Sequence, residues 1–225
     1  MQVTFNKLRT WAIVPDEPQV DRQASRSERD LLAQEFRYSR VARLPADCPP
    51  WVMGQQLGWL IRSPITVRMS PIEDVEFSLP DGEDLRTVAQ RLQVNEMWQR
   101  DEHWIATPGA SWMRRFDFQG EDGWEGMFLP NGSGTVEWRL GWALTIPERY
   151  FLLVMGAGSD VVDVPLGILP AATVNRMAGR GGFSLAVRPT ISGTVNRGDT
   201  VARIVLLHQD SLQAKSIESE LGHGD

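Results

Sequence analysis

Along residues 134–146 apolar and polar positions alternate with a period of two. Val136, Trp138, Leu140, Trp142, Leu144 and Ile146 fall on one face; Thr135, Glu137, Arg139, Gly141, Ala143 and Thr145 fall on the other. Successive side chains of a strand point to opposite faces, so the pattern predicts a strand with one apolar and one less crowded side. The chain around it is strand country too. Strands are predicted at 111–118, 124–129, 150–156, 160–169, 172–177, 183–188 and 200–208, punctuated by Gly, Pro and Asn. Upstream, residues 1–14 predict a first strand through Val3, Phe5, Trp11 and Ile13, ended by Pro15 and Pro18. Shorter strands are predicted at 57–62, 65–69 and 75–79.

Two segments carry helical spacing instead. Residues 21–36 place Leu31, Leu32 and Phe36 on one short apolar face, and Ser27 with Asp30 resembles a capping arrangement. Residues 83–99 space Leu85, Val88, Ala89, Leu92 and Met97 at roughly helical intervals. Residues 44–53 are Pro-rich and predict a connector, and Pro80-Asp81-Gly82 predicts a turn. Residues 1–209 are expected to form one β-rich domain and 210–225 a polar C-terminal tail.

The length of 225 residues suits a single β barrel with a substantial core. A net charge of −6 with dispersed basic residues argues against nucleic acid as a partner, because neutralising phosphates needs a basic surface. Lys7 and Lys215 are the only lysines among 23 basic residues, a bias expected of GC-rich bacterial coding. Cys48 is the only cysteine, which excludes an intrachain disulfide and a cysteine-cluster metal site. No signal-peptide pattern opens the chain, and no run approaches the roughly 20 apolar residues that span a bilayer. The expectation is a cytoplasmic protein with no membrane partner.

In residues 146–207, Pro147-Glu148 leads into a buried strand and the loop Gly156-Ala157-Gly158-Ser159. A second strand follows, then Arg197-Gly198-Asp199 and a closing apolar strand. This order resembles the β-clip fold of dUTPases and dCTP deaminases, over the last third of the chain. The fold expected is therefore mainly β, a single-domain β-barrel or β-clip-like fold with one or two peripheral helices. The resemblance implies nucleotide binding through Ser159, Arg180 (in the loop Gly179-Arg180-Gly181-Gly182) and Asp199. The stretch 167–172 lacks the aspartate and tyrosine that the family carries there. A weaker resemblance, through Arg37-Tyr38, Gly58-Trp59 and Arg62-Ser63-Pro64, links most of the chain to an uncharacterised bacterial family and implies no activity.

Catalytic motifs are scarce. No nucleophile elbow or phosphate-binding glycine fingerprint occurs, and Cys48 sits beside prolines with no base nearby. His208 and Asp210 have facial-triad spacing, with His103 as a distant third ligand, but such matches arise readily by chance and no metal is expected. Asp117, Glu121, Asp122, Glu125 and Glu137 flank the aromatic strand; Glu137, mid-strand beside Trp138, is the candidate acid, with Arg139 as its charge partner.

Six of the nine tryptophans fall between residues 98 and 142. They either fill a wide core or line a cavity. On the second reading Trp124, Trp138, Trp142 and Met155 contact an apolar, polyketide-like substrate and Glu137 with Arg139 promote its cyclisation or cycloaddition. No cofactor is required. The alternatives are the nucleotide-binding β-clip protein and a non-enzymatic interaction domain. Each is compatible with a homo-oligomer.

Overall fold

The computed structural model describes residues 2–35, 48–79, 82–108, 112–120 and 123–216. In chain order, β1 (Thr4–Lys7) precedes α1 (Arg22–Glu35) and α2 (Pro49–Gln55). Next come β2 (Trp59–Arg62), β3 (Val67–Met69), β4 (Val75–Phe77), α3 (Leu85–Leu92), β5 (Met97–Arg100) and β6 (His103–Ala106). A 3-10 turn at Met113–Phe116 leads to β7 (Phe118–Gln119), β8 (Trp124–Glu125), β9 (Phe128–Gly132), β10 (Thr135–Arg139) and β11 (Trp142–Thr145). The order ends with β12 (Tyr150–Gly156), β13 (Val162–Asp163), β14 (Gly167–Pro170), α4 (Ala171–Ala178), β15 (Ser184–Pro189), β16 (Gly193–Val195), β17 (Thr200–His208) and α5 (Gln209–Gln213).

The fold is mainly β. Two antiparallel four-stranded sheets carry it, in the orders β13-β15-β10-β9 and β14-β12-β17-β2. Smaller sheets pair β1 with β11, β3 with β16, β7 with β8, and β6 with both β4 and β5. No ladder among the described residues joins these sheets into one closed ring. One apolar cluster draws on residues from Ala12 to Ile204, including Val136 and Val187 of the first sheet and Leu152 and Ile204 of the second. No helix among the described residues is long and apolar enough to cross a membrane.

The alternating segment buries the face its pattern selects. Val136, Trp138, Leu140 and Trp142 are all 0% exposed. The segment is two strands, however, because Gly141 adopts φ +71° between β10 and β11. A Cβ there would lie 2.6 Å from Trp11 Cη2, so glycine serves both the turn and the close approach of the indole. The β9–β10 hairpin is clamped from outside by Asp74 Oδ2, which accepts from Gly134 N–H at 2.6 Å, and Glu76 Oε1, which accepts from Ser133 N–H at 2.9 Å.

Several local expectations are corrected. The segment 172–177 is not a strand but lies in α4: Pro170 caps it in extended conformation, and Ala171 and Val174, three residues apart, are its buried face. Asn175 then brackets Ile146, its Oδ1 accepting from the Ile146 N–H and its Nδ2 donating to the Ile146 carbonyl, both at 3.0 Å. The connector at 44–53 contains helix α2, whose prolines sit in the first turn where a missing N–H costs nothing; residues 44–47 lie outside the described residues. The helix predicted over 83–99 stops at Gln93, in left-handed conformation, and Met97 onward is strand. Residues 113–116 form the 3-10 turn rather than strand. The strand over 160–169 is split into β13 and β14 around Pro165, and β16 had no prediction. Ser27 lies inside α1, not at its start, where Asp21 Oδ1 accepts from Gln23 N–H at 2.9 Å. Among the described residues there are five α-helices, most of them short, where one or two were expected. The expected tail begins with α5; Phe36, Arg37, Tyr38, Pro80, Asp81 and residues 217–225 lie outside the described residues.

Two adjacent glycines test how tightly the segment after α4 is held. Gly182 adopts φ +101°, and a Cβ on it would lie 2.6 Å from the Trp142 carbonyl oxygen; Gly181 adopts φ +97° with nothing within 4 Å. Gly181→Ala should cost about 1 kcal/mol through its backbone conformation alone. Gly182→Ala should cost roughly 2–4 kcal/mol, because the clash adds to the same strain. Urea midpoints of the two variants check this, and equal losses would mean that the packing against Trp142 is not tight.

Candidate functional site

Residues from four parts of the chain frame an open cleft of about 650 Å³. Leu8 and Arg9 follow β1, Trp124 and Glu125 form β8, Arg139 ends β10, and Ala178 to Gly181 close α4. Glu125 holds two of the arginines. Its Oε2 accepts from Arg139 Nη1 at 2.8 Å and its Oε1 from Arg9 Nη2 at 3.5 Å. Arg9 is also seated over the Phe118 ring, 5.3 Å from its centroid. Arg180 forms no ion pair with a described residue. Among the described residues the lining thus carries three guanidiniums against one carboxylate, on a chain that is acidic as a whole. Trp124 is 77% exposed, so its ring is available to a ligand.

A second, more apolar cavity of about 240 Å³ lies beside the first sheet. Glu137 and Asn131 contribute from β10 and β9, Ser184 from β15, and Val154, Leu169 and Phe183 supply apolar wall. Glu137 and Arg139 share a strand face but serve different cavities. Arg139 pairs with Glu125 and not with Glu137, which corrects the expected ion pair.

A third cavity, of about 390 Å³, includes Asp16, Trp51, Arg62 and Arg203. Arg62 is committed there to Asp16 by two hydrogen bonds, Nε to Oδ1 at 2.6 Å and Nη2 to Oδ2 at 2.8 Å. That pair fastens β2 to the chain after β1, where Asp16 and Leu60 also form a β-bridge.

The candidates from the sequence therefore regroup. Trp124, Arg139 and Arg180, drawn from two different hypotheses, meet in one cleft. Trp138 and Trp142 lie inside the core and line none of the three cavities, since the face with the strongest apolar pattern is the face the core takes. Met155 lies on β12 opposite Arg203 and lines none of them either. Ser159 Oγ accepts from the N–H groups of Val161 and Val162, and Asp199 Oδ2 accepts from Asn196 N–H. Both therefore shape their own loops, away from Arg180's cleft. Arg9 was not singled out by any motif; only its place after β1 brings it in. His103 contacts Ser78 Oγ, His208 contacts Asp210, and no group of three or more His, Cys, Asp or Glu suited to a metal occurs among the described residues. Glu121, Asp122 and His223 lie outside the described residues. Of Trp124, Trp138, Trp142 and Met155, expected together around an apolar substrate, only Trp124 lines one of the three cavities, and that is the arginine cleft.

No protein-family model matches the chain, and no curated protein matches it. Among solved structures it is similar to phage dUTPases. A mutant dUTPase from phage phi11 of S. aureus aligns at 10% identity, over 100% of this chain and 98% of that one, with a TM-score of 0.41. A mutant dUTPase of Staphylococcus bacteriophage 80alpha, with dUpNHpp, aligns at 10% identity over 100% and 89% of the two chains, with a TM-score of 0.39.

The Asp16–Arg62 pair gives a pH test. The Arg62 hydrogen bond holds the Asp16 carboxyl below the usual carboxylate range, against the opposing effect of burial. A group with a depressed folded pKa adds stability above its unfolded pKa, and this is lost as pH falls through the folded pKa. Asp16→Asn should therefore be modestly less stable than the parent protein at neutral pH, with the gap closing below about pH 4. Thermal midpoints across a pH series check this; a gap independent of pH would assign the pair no electrostatic role.

Proposed function

We propose that the protein binds a small anionic ligand carrying a planar ring, of the nucleotide class, in the cleft of Arg9, Trp124, Arg139 and Arg180. The observation that carries this reading is the excess of guanidinium over carboxylate in one cleft of an acidic chain. Guanidinium is planar, always charged and matched to phosphate oxygens in pairs, which makes it the side chain suited to this task. The exposed indole of Trp124 offers a stacking face, and base–aromatic stacking accepts any base. The volume of about 650 Å³ suits a ligand of that size. Gly181, with open space around its Cβ position, allows close approach to the backbone. The same three guanidiniums would stabilise charge developing on a transferred phosphoryl group. Release of phosphate from the bound nucleotide is the assay for that enzymatic extension.

Calorimetric titration tests the binding. The ligands are dUTP and dCTP, with and without magnesium, alongside triphosphate (charge without a ring) and deoxyuridine (ring without charge). The nucleotides should bind more tightly than either fragment and weaken as salt is raised. Arg180→Ala and Trp124→Ala should each cost about ten-fold in affinity. Nucleotide affinity unchanged in both variants, or no saturable binding at all, would remove the cleft as the ligand site.

A further inference from the structure

The cavity at Glu137 has a chemistry of its own, opposite in sign to the arginine cleft. Glu137 is half-buried and makes no hydrogen bond or ion pair with a described residue. Its cross-strand neighbours, Leu129 and Ala186, are neutral. Arg139, the cation nearest along the strand, is engaged by Glu125. No cationic side chain among the described residues lines the cavity, and Val154, Leu169 and Phe183 give it a largely apolar wall. A carboxylate left without a partner in such surroundings is a favourable place for a positive charge brought by a ligand. Asn131 and Ser184, which also face the cavity, offer oxygen acceptors for the remaining N–H groups of an ammonium.

We infer that this cavity binds a compact organic cation, a primary ammonium on a small apolar body, with the charge at Glu137 and the body against Val154, Leu169 and Phe183. A volume of about 240 Å³ matches a single aromatic ring with a short side arm. This site is separate from the nucleotide-class cleft, because none of the residues lining the one lines the other.

Three probes of matched shape test it by calorimetry and ligand-observed NMR: 2-phenylethylamine, 2-phenylethanol and phenylacetate. The amine should bind saturably and about ten-fold more tightly than the alcohol, as expected for a hydrogen bond to a charged group, and phenylacetate should not bind. Glu137→Gln keeps the side-chain shape and should erase the preference for amine over alcohol, with its melting temperature reported alongside. Arg180→Ala should leave amine binding unchanged. Equal affinity for amine and alcohol, absence of saturable amine binding, or a preference that survives in folded Glu137→Gln would overturn the inference. The three-probe comparison on the parent protein decides by itself if that variant does not fold.

Discussion

The stack of Trp142 on Phe183 is the contact on which both cavities depend. The rings lie 4.8 Å apart and within 10° of parallel, and both side chains are at most 2% exposed. Burying side chains of this size is worth about 1.5–3 kcal/mol each, and the aromatic pair adds roughly 0.5–1.5 kcal/mol. The backbone closes the same contact. Phe183 N–H donates to the Trp142 carbonyl at 2.7 Å, and Leu140 N–H donates to the Phe183 carbonyl at 3.2 Å. On the other side the N–H groups of Arg180 and Gly182 both donate to the Met177 carbonyl at the end of α4. The loop is thereby fixed between a helix end and a core aromatic. Arg180 emerges on the side of the arginine cleft, while Phe183 and Ser184 face the cavity of Glu137.

Order in the cleft comes from one carboxylate. Arginine side chains are long and lose much rotamer freedom when held, so an array of them needs an anchor. Glu125 anchors two from opposite directions, and Phe118 supports Arg9 from below. The positive excess is local, since the chain as a whole carries −6. Salt screens such fields beyond about 8–10 Å, so a ligand at the cleft responds to its lining more than to the net charge. A whole-chain charge therefore says little about a site the size of one nucleotide.

The sequence made the core face legible and the cavities much less so. A period of two in residues 134–146 picks out the buried side chains, but it cannot tell whether the layer beyond Trp138 and Trp142 is protein or ligand. The indole N–H groups of both have no partner among the described residues, so these tryptophans serve as bulk in the core at some polar cost. The helical segment α4 was hidden for a different reason. Ala171, Val174 and Met177 do recur every three residues, yet two turns flanked by strands give too short a window to separate that spacing from an irregular strand. Arg180 was visible because glycines surround it. Arg9 was not, because a residue just past a strand carries no pattern, and only the pairing of β1 with β11 brings it to the end of β10.

The separation of the two cavities rests on a choice made by Arg139. Glu137 stands two residues before it on the same strand face, about 7 Å along the strand, close enough for a long guanidinium arm to turn toward it. Glu125 is offered instead by β8, in a geometry that gives a 2.8 Å hydrogen bond and also engages Arg9. A carboxylate shared by two guanidiniums holds both, whereas an Arg139–Glu137 pair would leave Glu125 to Arg9 alone and draw one cation out of the cleft. The arrangement observed keeps positive charge on one side of the loop after α4 and an unpaired carboxylate on the other. Neighbouring residues of one strand thereby present opposite charges to two different volumes, and the strand's own alternation does not cancel them because both side chains leave from the same face.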